Sequence, residues 1–127
     1  MTEFLTIRLG WKKDRSERAG YAEDMTTNEI LNAGLLEWVL KASRAIECDK
    51  VIILSPDLSI IAARDIRGVA KTERNGARYE VLIWDVDEEG NPLNAQEAKD
   101  EQELLGKHVL RGTSQNPIAY VTPDRIV

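Results

Sequence analysis

The stretch that decides the predicted fold is "TTNEILNAGLLEWVLKASRAIEC", residues 26–48. Thr26 and Glu29 have the spacing of a capping box, in which each side chain satisfies a backbone amide near the start of a helix. The apolar residues that follow recur at the spacing of one helical face: Leu31, Leu35, Trp38, Val39, Ala42, Ala45 and Ile46. The pattern predicts one long helix over about 27–48, in which Gly34 indicates a close packing contact.

Strand patterns lie on both sides of this segment. In "FLTIRL" (4–9) apolar and polar side chains alternate, which predicts a half-buried strand. "KVIIL" (50–54) is typical of a short buried strand, and the proline in "SPDLS" (55–59) predicts a turn after it. "IIAARDIRGVA" (60–70) predicts a further strand, with Gly68 marking a bulge or bend.

The second half of the chain continues this pattern. Asn75-Gly76 is a strong hairpin signal because both residues tolerate positive φ, and "YEVLIWDV" (79–86) is the expected partner strand. Asn94 and Glu97 have the spacing of another helix start, which predicts a short helix at about 95–105. "IAYV" (118–121) is typical of a last strand.

The order of these elements predicts a single α+β domain spanning residues 1–127. Its expected architecture is a curled, mainly antiparallel sheet, or a partly open small barrel, with the long helix packed on it. Hydrophobic residues make up 43% and charged residues 31%, as in ordinary globular proteins. No apolar run approaches the ~20 residues of a membrane span, so no membrane contact is expected. Cys48 is the only cysteine, which agrees with a reducing cytoplasm.

The charge is unevenly distributed along the chain. The net charge of −5 argues against a purely electrostatic nucleic-acid binder. Residues 85–103 contain eight acids and one base, and two basic clusters occur elsewhere: Arg8, Lys12, Lys13, Arg15 and Arg18, then Arg64, Arg67, Lys71, Arg74 and Arg78. These clusters fit either ordinary solvated surfaces or a side of the molecule that faces an anion.

Motifs for catalysis are weak. "DVDEEGN" (85–91) has the start of a calcium-loop pattern, but Gln96 stands where a bidentate carboxylate is needed, so an acidic turn is favoured. His108 and Ser114 supply two parts of a hydrolase triad without the glycine context that exposes a nucleophile. The chain has no dinucleotide fingerprint and no Cys/His metal spacing. The sequence therefore favours a protein that is not an enzyme, and it predicts no cofactor, no metal and no catalytic residue.

The segment "VIILSPDLSIIAARDIRGVAKTERNGARYEVLIWDV" (51–86) resembles the central strands of PUA-like domains, a group of small β-barrel domains that includes the EVE and ASCH types. "LLGKHV" (104–109) and "QNPIAYV" (115–121) are similar to the ends of bacterial proteins of this kind. The resemblance covers about residues 50–121 and includes no catalytic signature. It implies a pocket that reads a nucleobase or a modified base in RNA or DNA, with aromatic faces and polar groups.

Ligand-binding residues are expected in three groups. The resemblance implies cationic contacts to phosphates, aromatic rings that stack on bases, and a polar loop that hydrogen-bonds the base edge. The residues are Arg64, Arg67, Lys71 and Arg74, then Trp84 and Tyr120 with Trp11 as a further candidate for stacking, and Ser114, Gln115 and Asn116. The polar run 112–117 also suits an ordinary turn for backbone reasons alone.

These observations predict a non-catalytic binding module, with nucleic acid as the first candidate ligand. The alternative is a protein–protein interaction or assembly module, in which Leu36 and Leu40 extend an apolar helix strip into a protein partner or a second copy. A weaker alternative is a metal-dependent nuclease that uses Asp57 and Glu97.

Overall fold

A five-stranded sheet forms the centre of the molecule. The computed structural model describes residues 3–11, 21–22, 25–35, 38, 42–71, 78–84, 99–111 and 117–127. The strands are β1 (Phe4–Arg8), β2 (Lys50–Leu54), β3 (Ile60–Lys71), β4 (Tyr79–Ile83) and β5 (Ile118–Val121). Their order in the sheet is β4-β3-β2-β1-β5.

The directions of the strands make this a mixed sheet. β1 and β2 are parallel, and the remaining neighbours, β1–β5, β2–β3 and β3–β4, are antiparallel. The predicted α+β class and the antiparallel majority are therefore confirmed. The sheet does not close into a barrel, since β4 and β5 form its two edges.

The prediction of one long helix over about 27–48 is wrong. The structure has α1 (Thr27–Leu35) and the short α2 (Ala42–Ala45) instead. Between them, the backbone of Trp38 pairs with Tyr79: each amide donates to the other residue's carbonyl, at 3.0 and 2.9 Å. An amide that donates to a strand cannot also donate within a helix. The Gly34 carbonyl accepts a hydrogen bond from the Trp38 indole Nε1 instead of from that amide, at 2.7 Å.

The start of α1 agrees with the sequence. The Glu29 amide donates to Thr26 Oγ1, and the Thr26 amide donates to Glu29 Oε1, both at 3.2 Å, so the predicted capping box is confirmed. The close packing at Gly34 is also confirmed, because a Cβ there would lie 2.4 Å from Ile53 Cδ1.

Two apolar clusters cover the two faces of the sheet. The first includes α1 and α2, and its buried members are Leu5, Ile7, Leu9, Ile30, Leu31, Ala33, Leu35, Ala45, Cys48, Val51, Ile53, Ala62, Val81, Ile83 and Ile118. The second lies on the other face and contains Phe4, Ile52, Leu54, Ile60, Ala63, Val109 and Val121. β1 is thus buried on both faces rather than half-buried, because an apolar cluster packs on each side of the sheet. Ile46, expected on the inner face, is exposed.

Several local predictions are confirmed. The β2–β3 turn is closed by hydrogen bonds between Ser55 and Ser59, and the β3–β4 register shifts between Ile66 and Gly68, where a bulge or bend was expected. A short helix, α3 (Lys99–Leu104), falls within the predicted range, while residues 95–98 and the Asn75-Gly76 turn lie outside the described residues. The chain then enters a 3-10 turn at Pro123–Arg125. Within the described ranges, none of the helices has the length and apolar character needed to cross a bilayer.

Candidate functional site

A cleft of about 470 Å³ lies where β1 and β2 end. Because these two strands are parallel neighbours, their carboxyl ends meet at one side of the sheet, the usual position of ligand sites in open sheets with parallel strands. The cleft is lined by Arg8, Trp11, Tyr21, Ser55, Pro56, Asp57, Ser59 and Ile61. We call it the β1–β2 cleft.

Two aromatic residues form one wall of the β1–β2 cleft. Trp11 follows β1 and is 61% exposed, which is unusual for so large an apolar side chain. Its ring meets Tyr21 edge-on, with centroids 5.3 Å apart and an interplanar angle of 61°. The amide of Tyr21 donates to the Gly10 carbonyl at 2.7 Å, which anchors this side of the wall to the end of β1. Trp11 therefore presents a supported aromatic surface to solvent.

Arg8 supplies the positive charge of the cleft. It is the last residue of β1, and its Nε donates to the Pro56 carbonyl at 3.0 Å. None of the described carboxylates forms an ion pair with it. Burial, and then the nearby charge of Arg8, lower the pKa of Arg111 below its ordinary value. Arg8 thus places a positive charge at the end of β1 in a protein whose net charge is negative.

The turn after β2 supplies the polar groups of the cleft. The Ser55 hydroxyl donates to Asp57 Oδ1, and the Ser59 amide lies 3.4 Å from the same oxygen. These hydrogen bonds, led by that of Ser55, lower the pKa of Asp57 below its ordinary value, so the group is an ionised acceptor at neutral pH.

Leu58 holds this turn in an uncommon backbone conformation. Its φ is 70°, in the left-handed region that non-glycine residues rarely adopt. The surroundings fix it there, because the Leu58 carbonyl accepts the Val109 amide at 3.1 Å and its side chain packs on the second apolar cluster. Packing therefore maintains the arrangement of Ser55, Asp57 and Ser59 in the cleft.

His108 lies beside Ser59 rather than beside a catalytic constellation. Ser59 Oγ and His108 Nε2 are 3.0 Å apart, across a β-bridge between the two residues. Within the described ranges no carboxylate hydrogen-bonds the other ring nitrogen, as the orienting acid of a triad would. The described residues also contain no group of three His, Cys, Asp or Glu side chains that could hold a metal ion.

Two of the predicted ligand-binding residues lie together near the β4 edge of the sheet. The Arg67 guanidinium lies over the Trp84 ring, 6.0 Å from its centroid, and Trp84 is 62% exposed. Lys71 is exposed at the end of the same strand. Arg67 is six residues along β3 from Ile61 of the cleft, about 20 Å at the rise of a strand. This pair is therefore separate from the β1–β2 cleft.

Arg64 is enclosed in the protein. Its Nε donates to Glu101 Oε2 of α3 at 2.8 Å, and both side chains are 0% exposed. The same oxygen accepts the Ala63 amide at 2.7 Å. The guanidinium thus attaches α3 to the sheet. Because the Arg64 side chain is fully enclosed, it offers no exposed surface to a ligand.

Tyr120 lies on β5, at the opposite edge of the sheet from Trp84. The Arg44 guanidinium covers its ring, 4.3 Å from the centroid, and Arg44 is itself paired with Glu3 at 2.8 Å. Tyr120 also lines a second depression of about 410 Å³, which Glu3 and Arg111 border. Because Arg44 covers one face of the ring, Tyr120 offers less surface for stacking than Trp11.

The remaining predicted residues lie outside the described residues: Arg74, Ser114, Gln115 and Asn116. Pro117, the last residue of the polar run 112–117, accepts a hydrogen bond from the backbone amide of Arg8 at 2.9 Å, so the run ends beside the carboxyl end of β1. Of the cleft residues, Trp11 was a candidate for stacking, and Asp57 was considered only for a nuclease. Ser55 and Ser59 were missed, because only the tertiary structure brings the 55–59 turn to the aromatic wall.

Comparisons with protein-family profiles, with curated proteins and with solved structures found no significant match.

Proposed function

We propose that this protein is a non-catalytic module that binds single-stranded nucleic acid by taking one unpaired base into the β1–β2 cleft. The observation that carries the proposal is the exposed Trp11 ring on the wall of a cleft that also contains Arg8 and Asp57. The three residues combine a flat aromatic face, a donor and an acceptor. A flipped-out or single-stranded base needs these same features for stacking and for hydrogen bonds to its edge.

The shape and polarity of the cleft support a base as the occupant. Stacking on an aromatic side chain contributes about 1–3 kcal/mol per base and tolerates different sequences. The Trp11 side chain is 61% exposed even though it contacts Tyr21, so much of its ring is available to a ligand. A cleft of about 470 Å³ falls within the usual size range of small-molecule sites.

The electrostatics support recognition of a base more than attraction to the phosphate backbone. A net charge of −5 repels a polyanion at long range. Local attraction is supplied by Arg8, which lines the cleft. The proposal therefore assigns most of the affinity to short-range contacts inside the cleft.

The test is a binding titration with fluorescein-labelled single-stranded DNA and RNA of mixed sequence at low salt, followed by anisotropy. Trp11→Ala is expected to weaken binding about 10-fold, since it removes the stacking face. Trp84→Ala is the matched control, because Trp84 is exposed to the same degree, 62% against 61%, but lies far from the cleft. It is expected to leave the affinity unchanged.

Two outcomes would contradict this proposal. If the wild-type protein binds none of the oligonucleotides at low salt, the proposed function is wrong. Loss of binding in Trp84→Ala but not in Trp11→Ala would show that the binding site is the Arg67–Trp84 pair at the sheet edge and not the β1–β2 cleft. Circular dichroism of both variants verifies that each one is folded.

A further inference from the structure

We infer that the β1–β2 cleft prefers guanine among the common bases. This inference depends on the proposed function and identifies the base that the same site takes. It follows from the types of hydrogen-bonding group that the described residues place in the cleft. Arg8 can only donate hydrogen bonds, and the Asp57 carboxylate can only accept them.

Asp57 selects for a base edge that carries adjacent donors. The Ser55 hydroxyl and the Ser59 amide both approach Oδ1, and an ionised carboxylate has further lone pairs that can accept hydrogen bonds from a ligand. Guanine presents N1–H beside its 2-amino group, two donors next to each other. Adenine, cytosine and uracil each place a ring or carbonyl acceptor next to their donor, and such an acceptor repels a carboxylate. The ionised Asp57 therefore favours guanine.

Arg8 matches the acceptors of the same base. Its Nε is engaged by the Pro56 carbonyl, while its terminal nitrogens carry further donors. The O6 and N7 atoms of guanine are both acceptors and form the commonest specific contact of arginine with a base. Adenine has an amino group in place of O6, so its N–H donors would face the N–H donors of Arg8 and no hydrogen bond could form there. Both charged residues of the cleft thus favour the same base.

Trp11 adds affinity without changing this preference. Its exposed ring stacks on any base, because every base has a flat π-face. We therefore assign the discrimination between bases to Arg8 and Asp57. Trp11 sets the overall strength of binding. This division of roles makes the inference testable separately from the proposed function.

The experiment uses labelled oligothymidylates that carry one central guanine, adenine, cytosine or hypoxanthine, with the full chain. The guanine oligonucleotide is expected to bind about 10-fold more tightly than those with adenine or cytosine. Hypoxanthine retains O6, N7 and N1–H but lacks the 2-amino group, so an intermediate affinity is expected.

Asp57→Asn is the diagnostic variant. An asparagine carbonyl can still accept from Ser55 and Ser59, so the turn is preserved, but the amide nitrogen is a donor where guanine needs an acceptor. The variant is expected to lose the advantage of guanine over hypoxanthine and to keep the part of the advantage over adenine that Arg8 supplies. Circular dichroism of Asp57→Asn serves as the control for folding.

Each outcome has a distinct meaning. Equal affinity for guanine and adenine in the wild-type protein overturns the guanine preference and leaves the proposed function standing. A preference for guanine over hypoxanthine that persists in Asp57→Asn overturns the role of Asp57. Absence of binding to all of the oligonucleotides overturns both the preference and the proposed function.

Discussion

Single residues determine where the elements of this protein end. Trp38 lies in the middle of a sequence with helical periodicity, yet its amide and carbonyl pair with Tyr79 of β4. Its indole Nε1 donates to the Gly34 carbonyl at 2.7 Å and so satisfies an acceptor at the end of the helix. Gly34 itself is required by packing rather than by a turn, because the Ile53 side chain occupies the space of a Cβ. In a helix an exposed alanine would be favoured over glycine, so the packing contact outweighs propensity here.

Gly34→Ala is expected to destabilise the protein. The added Cβ would lie 2.4 Å from Ile53 Cδ1 and 2.7 Å from Cγ1, so overpacking of about 1–3 kcal/mol exceeds the gain in helix propensity of about 1 kcal/mol. Urea denaturation measures the free energy of unfolding. Gly68→Ala is the control, since no atom lies within 4 Å of a Cβ at that position. A Gly34→Ala variant as stable as the wild type would contradict the tight contact.

At the scale of elements, α3 is attached to the sheet by a buried charge pair. Arg64 of β3 and Glu101 of α3 are both fully enclosed, and Glu101 also accepts the Ala63 amide. Removal of one partner from a buried pair leaves an uncompensated charge in a medium of low polarity, whereas replacement of both with apolar residues is often neutral or stabilising. The position of α3 therefore depends on charge balance in addition to apolar contact.

Glu101→Leu is expected to cost about 3–5 kcal/mol of unfolding free energy, and the double variant Arg64→Met with Glu101→Leu to recover most of that loss. Thermal and urea denaturation provide the measurement. Glu3→Ala is the matched control: its pair with Arg44 has the same 2.8 Å separation but is solvent-exposed, so little change is expected. A double variant less stable than Glu101→Leu alone would argue against the unpaired charge as the cause.

At the scale of the whole molecule, the topology of the sheet creates the candidate site. β1 and β2 are separated by more than forty residues in the chain but are parallel neighbours in the sheet. Their carboxyl ends consequently bring Arg8 and Trp11 together with the 55–59 turn. The negative net charge of the molecule limits the long-range attraction of a polyanion to this site.

This charge distribution predicts a weak dependence of binding on salt. If one or two phosphates contact the region of Arg8 and Arg111, the slope of log affinity against log salt is expected to be about −1 for a single strand. Anisotropy titrations across a series of NaCl concentrations measure this slope. A slope steeper than about −3 would indicate an extended basic track, such as one that includes Arg67 and Lys71, and would contradict a site led by base contacts.

The sequence by itself determined the local features of this protein. The capping box at Thr26 and the turn at 55–59 depend on residues near one another in the chain, and both are present. Glycine at position 34 indicated a close contact, but only the tertiary structure shows that its partner is Ile53. Only the tertiary structure decided where the helix stops, which strands are parallel and which charged residues are enclosed. Arg64 and Arg67 look equivalent in the sequence, but one is buried against α3 and the other is exposed. The physical reason is that strand pairing and helix docking join residues far apart in the chain, and a local pattern carries no information about which distant partner will be met.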